Sequence, residues 1–171
     1  MGVEIERKFL VTDDSWRREA TNRTHMVQGY LVDASALQKG LARSSVRVRV
    51  AGERAWLNIK SAELGIERQE FEYPLPHDDA QSMLHTLCDG CVEKFRYRVP
   101  VQGHTFEIDE FLGDNEGLVV AELELPATDA PFPHPSWLGR EVSHMPRYYN
   151  VNLITHAWRD WNDAERAGEG A

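Results

Sequence analysis

The chain has 171 residues, with 28 Asp plus Glu against 19 Lys plus Arg, for a formal net charge of −9 and a pI near 5.2. That length suits one globular domain, and 42% hydrophobic with 27% charged residues excludes wholesale disorder. No apolar run reaches the roughly 18 residues of a membrane span, Met1-Gly2-Val3-Glu4 does not read as a signal peptide, and an acidic chain without a Lys/Arg block is a poor host for nucleic acid. The same argument, taken from global charge alone, disfavours any polyanionic ligand.

In chain order, residues 3–10 alternate as a strand, and Asp13-Asp14-Ser15 can cap a short helical turn around Trp16 to Ala20. Strands follow at about 25–33, 44–51 and 55–61, the last two joined by a hairpin signal at Ala51-Gly52-Glu53. Another strand covers 67–75. Asp78 to Leu87 has helical spacing, with Met83, Leu84 and Leu87 on one stripe. Strands resume at 91–101 and 104–112 around Gln102-Gly103, and a last one covers 118–125. The proline-rich segment 126–146 reads as a loop with one turn near Pro135 to Leu138. A final helix is expected from Asn150 to Asp160, burying Leu153, Ile154, Ala157, Trp158 and Trp161. Residues 163–171 should be a flexible tail behind a single domain of 1–162.

Cys88 and Cys91 are the only cysteines, and the seven histidines are scattered, so no zinc spacing exists. Two free thiols at a helix-to-strand turn fit a reducing cytoplasm.

Strand parity carries the information, because residues i and i+2 share a face. One face of the strands carries Glu4, Glu6 and Lys8, then Arg47 and Arg49, Lys60, Glu70 and Glu72, Lys94, Arg96 and Arg98, Glu107 and Asp109, and Glu122 and Glu124. Apolar residues take the other face. Two arrangements satisfy this pattern. The charges can lie on a solvated sheet face as cross-strand pairs, or they can converge inside a closed barrel. Segregation by sign favours convergence. Converging carboxylates require a cation, and oxygen donors suit Mg²⁺ or Mn²⁺. Converging arginines and lysines require an anion, for which guanidinium forks suit phosphate. This face holds eight acidic and seven basic residues, so one or two divalent ions would make it net positive, and global charge is the wrong guide to the ligand.

The residues also resemble a known family. Glu4-Ile5-Glu6-Arg7-Lys8 is similar to the Glu-x-Glu-x-Lys signature that opens CYTH domains, the triphosphate tunnel metalloenzymes. Gln28-Gly29-Tyr30-Leu31, Val46 to Arg49, Ile59-Lys60-Ser61, Arg68 to Glu72, Glu93 to Tyr97, Phe106 to Asp109, Ala121 to Glu124 and Arg147 to Asn150 follow in the family's order, so the resemblance covers residues 3–157. It implies a mainly β fold, an eight-stranded antiparallel closed barrel with a few peripheral helices and a C-terminal helix that could plug one end. It further implies metal ligation by Glu4, Glu6, Glu122 and Glu124 with Asp109, and support from Glu70, Glu72 and Tyr30. Triphosphate binding would fall to Lys8, Arg47, Arg49, Lys60, Lys94, Arg96 and Arg147, with Glu4, Glu6, Lys8 and Asp109 at the chemistry.

The expected function is divalent-metal-dependent hydrolysis of inorganic tripolyphosphate to pyrophosphate and phosphate, using one or two Mg²⁺ or Mn²⁺ ions. Alternatives on the same fold are a class IV-type adenylate cyclase, a nucleoside or thiamine triphosphatase, and a non-catalytic polyphosphate- or nucleotide-binding module. Expected partners are a small triphosphate substrate, neither nucleic acid nor membrane, with the protein a monomer or homodimer.

Overall fold

The computed structural model describes residues 2–62 and 66–170. Nine strands form one antiparallel sheet: β1 (Gly2–Val11), β2 (Asn22–Tyr30), β3 (Ser44–Ala51), β4 (Arg54–Ser61), β5 (Glu67–Leu75), β6 (Cys91–Val101), β7 (His104–Phe111), β8 (Val119–Glu124) and β9 (Leu138–Glu141). Closure depends on β1 using both edges. It pairs with β8 through Glu6↔Glu124 and Lys8↔Glu122, and with β5 through Glu4↔Arg68 and Gly2↔Glu70. Eight strands thus close into a barrel that leaves no free edge among them. β9 then occupies the edge of β1 beyond β5, through Phe9↔Glu141 and Val11↔Leu138.

Hairpin chemistry fixes the strand registers. Gln102 and Gly103 both have positive φ, 48° and 82°, as a two-residue turn matched to the right-handed strand twist requires. Gly52, at φ 58°, does the same work between β3 and β4.

Three apolar clusters surround this frame. Outside β1, β6, β7 and β8, Phe9, Val99, Phe106, Ile108 and Leu123 are covered by Trp16 and Trp137. Outside β2 to β4, Val48, Val50 and Ala55 are covered by Ala80 and Leu84 of α2 (His77–Thr86), the second helix after the short α1 (Ala34–Gln38). The third cluster lies inside the barrel. Val92, Phe111, Val120 and Leu10 continue the charged inward rows of β6, β7, β8 and β1, and Val142, Met145, Tyr148, Leu153 and Trp161 pack on them. The chain after β9 therefore plugs that end of these four strands with apolar side chains.

Several sequence expectations need correction. β2 starts at Asn22 because its pairing with β6 extends to Arg98. β9 lies within the expected 126–146 loop, recruited by the open edge of β1. The expected helix over 150–160 is broken. α3 (Asn150–Leu153) ends early, the chain turns extended at Ala157 with ψ 153°, and a 3₁₀ turn spans Trp158–Asp160. The Trp158 amide goes to Asn115 Oδ1 at 2.9 Å, a tertiary partner that outcompetes the helical carbonyl. The expected flexible tail carries α4 (Asp163–Arg166), held by a capping box between Asn162 and Glu165. Gly168 O accepts from Arg140 at 2.7 Å, and Glu165 O accepts from Tyr148 at 3.0 Å.

Both cysteines are free and flank the turn between α2 and β6. Burial pushes the Cys88 thiol up to about 11 and raises that of Cys91, which makes both poor nucleophiles.

Candidate active site

The inward rows of the eight closed strands meet around a cavity of about 970 Å³. β1 contributes Glu4, Glu6 and Lys8, and its neighbour β8 contributes Glu122 and Glu124. Across the tunnel, β3 and β4 contribute Arg47, Arg49 and Lys60, while β6 contributes Lys94, Arg96 and Arg98. Arg68, Glu70 and Glu72 line it from β5, and Glu107 from β7. The wall therefore holds eight lysines and arginines against seven glutamates. A chain of net charge −9 thus lines its interior with a slight excess of positive charge, and its negative surplus lies outside.

Every carboxylate on the β1 side except Glu124 is turned toward a cation. Lys8 donates to Glu6 at 2.7 Å and also to Glu122. Lys60 donates to Glu4 at 2.6 Å and lies 3.5 Å from Glu70. Arg68 stands 3.9 Å from both Glu4 and Glu6. Arg96 reaches Asp109, Glu107 and Glu122 together. On β5, next to β1, Glu70 accepts from the Asn58 amide at 3.0 Å, and Glu72 accepts from Asn58 at 2.6 Å and from Arg49 at 2.8 Å.

These neighbours set the protonation states. Burial, with Glu6 beside it, raises the Glu4 carboxyl to about 7 despite Lys60. Burial and Glu122 push Glu6 the same way, yet Lys8 and Lys60 outweigh them and hold it at about 2. Burial likewise opposes the charge on Glu122, and Lys8 and Arg96 pull its carboxyl well below the usual range. The Lys94 ammonium is drawn down to about 8 by burial, although Asp109 faces it. So two carboxylates on one strand, two residues apart, are driven in opposite directions. Such divergence is typical of functional sites.

Gln28 and Asn58 are fully buried on the inward rows, and Gln28 Oε1, Asn58 Oδ1, Arg47 Nε and Arg49 Nε have no partner among the described residues. They are cross-strand neighbours, Gln28 opposite Arg49 and Arg47 opposite Asn58. Buried polar atoms are seldom left unpaired, so this wall is built for a polar occupant.

The CYTH domain profile matches residues 2–156. The chain belongs to the CYTH family. An inorganic triphosphatase of Acetivibrio thermocellus is 42% identical over 164 residues, covering 95% of this chain and all of that protein. An inorganic triphosphatase of Nitrosomonas europaea is 32% identical over 155 residues, covering 88% and 96%. The crystal structure of an inorganic triphosphatase superposes with a TM-score of 0.62 at 31% identity, over 90% of this chain and 95% of the other. A putative adenylyl cyclase from Hippeastrum, described as having a dominant triphosphatase activity, shares the fold with a TM-score of 0.55 at 14% identity, over 74% and 80%.

In this CYTH tunnel, Glu4, Glu6, Lys8, Arg47, Arg49, Lys60, Lys94, Arg96, Glu122, Glu124 and Tyr30 all line the cavity, as do Glu70 and Glu72. Two expected site residues do not. Asp109 is fully buried behind the wall, outside the cavity lining, with both carboxylate oxygens taken by Arg96 and one also by Lys94. Arg147 lies on a 3₁₀ turn outside the strands and donates to Glu169 O and to Gly170 O (2.9 Å), toward the C-terminal segment. Conversely, Arg68, Gln28 and Asn58 line or brace the tunnel although the sequence reading gave them no site role. Arg68 was legible by parity. The two amides were hidden because neutral residues do not stand out on a charged face.

No group of three or more Asp, Glu, His or Cys among the described residues stands ready to hold a metal ion. The donors themselves fit a hard cation, since Glu4, Glu6, Glu122 and Glu124 offer only oxygens. Lys8 and Lys60 occupy the places such an ion would neutralise.

Proposed function

We propose that this protein is a divalent-metal-dependent inorganic triphosphatase that cleaves tripolyphosphate to pyrophosphate and phosphate. The observation that carries the reading is the convergence in one tunnel of four carboxylates, Glu4, Glu6, Glu122 and Glu124 on the paired strands β1 and β8, with the arginines and lysines of β3, β4 and β6. The naming of the 42% identical relative as an inorganic triphosphatase supports it.

Arg47, Arg49, Lys60, Lys94 and Arg96 would bind the phosphate oxygens and neutralise charge as it shifts toward the leaving pyrophosphate. To do so, Lys8, Lys60 and Arg96 must exchange Glu4, Glu6 and Glu122 for phosphate, which releases these three carboxylates. Mg²⁺ or Mn²⁺ held by these glutamates and Glu124 would supply Lewis acidity and a water of lowered pKa. Glu70 and Glu72, fixed by the Asn58 amide, hold Arg49 and Lys60 in position when no substrate is present. No helix among the described residues is long and apolar enough to cross a membrane, and a small, freely diffusing phosphate substrate fits a cytoplasmic site of action.

Phosphate release from tripolyphosphate, ATP, thiamine triphosphate and pyrophosphate, each with Mg²⁺, Mn²⁺ or chelator, tests the reading. A metal-dependent preference for tripolyphosphate supports it. Cyclic AMP and pyrophosphate as the products from ATP would replace it with a cyclase.

A further inference from the structure

β3 is flanked by two buried side-chain amides, and each faces an arginine. Gln28 of β2 stands directly opposite Arg49, and Asn58 of β4 directly opposite Arg47. In both pairs the amide oxygen and the arginine Nε are buried and have no partner among the described residues. An unpaired acceptor thus faces an unpaired donor twice over, on residues whose Cβ atoms start only about 4.5–5.5 Å apart. Buried polar atoms are destabilising when unpaired, so two matched pairs point to a second arrangement in which they meet.

The Gln28–Arg49 pair shows what keeps them apart. Strand order places β2 on one side of β3, and β4 then β5 on the other. Arg49 leans toward β5. One of its terminal nitrogens donates to Glu72 at 2.8 Å, and its guanidinium carbon lies 5.1 Å from the ring centroid of Trp56 on β4. Gln28 stays behind, fully buried, with Nε2 3.5 Å from Tyr30 Oη and Oε1 unpaired. The Glu72 side chain is 40% exposed, so solvent weakens its hold on the arginine. Burial, and Arg47 beside it, keep the Arg49 guanidinium below its ordinary value, which favours an anion at this wall.

Glu72 and Gln28 hold an arginine in different ways. A carboxylate cancels the guanidinium charge, whereas an amide oxygen accepts the Nε–H and leaves the charge for a ligand. When the two terminal nitrogens grip phosphate end-on, the Nε–H needs an acceptor of its own.

We propose that Gln28 is the positioning residue for Arg49 in the loaded tunnel. Arg49 releases Glu72, turns toward β2, gives its Nε–H to Gln28 Oε1 and meets phosphate with its terminal nitrogens. This rests on the triphosphate reading of the tunnel. Asn58 Oδ1 and Arg47 Nε repeat the juxtaposition two residues along β3.

A double-mutant cycle tests the assignment, because lysine keeps the charge of Arg49 and has no Nε–H to rest on Gln28. With Mg²⁺ and tripolyphosphate, Gln28→Met should raise KM about 10-fold or more, as expected for one hydrogen bond to a charged group. Its kcat should change by less than about threefold. In an Arg49→Lys background the same substitution should move KM by less than about twofold. The melting temperature should hold or rise, since the oxygen removed has no partner in the empty protein. An unchanged KM in Gln28→Met, an equal rise in the Arg49→Lys background, or a raised KM accompanied by a fall of several degrees in melting temperature overturns the role of Gln28. If the wild type releases no phosphate from tripolyphosphate with Mg²⁺ or Mn²⁺, the triphosphatase reading fails instead. The cycle is then read from calorimetric dissociation constants for tripolyphosphate, where an effect of Gln28→Met that vanishes with Arg49→Lys supports the assignment and any other result, absence of binding included, overturns it.

Discussion

Arg96 grips Asp109 through two parallel hydrogen bonds, Nε to Oδ1 and an Nη to Oδ2, each 2.7 Å long. Asp109 is fully buried and also accepts from Lys94, while the rest of the Arg96 guanidinium extends to Glu107 and Glu122 on the tunnel wall. Such bidentate pairs fix orientation as well as charge. Asp109 therefore fixes the orientation of Arg96 on the tunnel wall, the arginine proposed to bind phosphate. Asp109→Asn should raise KM for tripolyphosphate about 10- to 100-fold, since a charge-assisted hydrogen bond is worth about 1.5–3 kcal/mol. The Mg²⁺ concentration that gives half-maximal activity should stay at the wild-type value. A rise in that concentration with unchanged KM would return Asp109 to the metal site.

Glu6 supports a different expectation, because its carboxyl is held at about 2 and so is ionised under all ordinary conditions. Glu6→Gln keeps the shape and removes the charge. It should lower turnover with Mg²⁺ at least about 100-fold, near the upper range for disturbed metal sites. Lys8 keeps its contact to Glu122, so the barrel should melt close to the wild-type temperature. Wild-type rates in this variant would remove Glu6 from the metal ligands.

What the sequence discloses follows from period-2 geometry. A strand's parity is fixed whatever it pairs with, so the inward placement of Glu4, Glu6, Arg47, Arg49, Lys60, Arg96, Glu122 and Glu124 was legible, and so were all eight closed strands. Closure was not legible in the same way, since it depends on β1 pairing with β8 along one edge and with β5 along the other. β9 has four residues and no alternation to reveal it. Parity also cannot separate a residue on the cavity wall from one behind it, and Asp109 shares its row with Glu107 but is covered by Lys94 and Arg96. Arg147 sits on a 3₁₀ turn, where period-2 reasoning does not apply. The C-terminal segment looked unstructured by composition, although Asn162 and Glu165 spell a capping box.

Arg147 provides a direct test of that correction. Its guanidinium donates to the carbonyls of Glu169 and Gly170 and lies 5.9 Å from the Trp161 ring centroid, beside the apolar plug. Arg147→Ala should loosen the C-terminal segment and cost about 1–3 kcal/mol, or a few degrees of melting temperature for a domain of this size. Steady-state constants for tripolyphosphate should match the wild type. A KM raised tenfold at unchanged melting temperature would place Arg147 in the tunnel after all.

The attachment of β9 to the barrel should depend on pH. Arg7 Nε donates to Glu141 Oε1 at 2.8 Å, a second guanidinium nitrogen meets the other oxygen, and Ser143 Oγ donates at 2.8 Å. The hydrogen bonds from Arg7 hold the Glu141 carboxyl below its ordinary value. A carboxyl whose folded pKa is depressed contributes stability that is fully present above the unfolded value, near 4.3, and that is lost as pH falls through the lower folded value. The pair is about 30% exposed, so solvent screening limits it to about 1 kcal/mol, or roughly 2–4 °C. The melting temperature of wild type should therefore exceed that of Glu141→Gln by a constant margin from pH 5 to 8. The margin should close below pH 4, as Glu141 takes up a proton and comes to resemble the amide that replaces it. A margin that persists undiminished at pH 3 would mean that Glu141 acts by packing, and its charge would then have no part in holding β9 to β1.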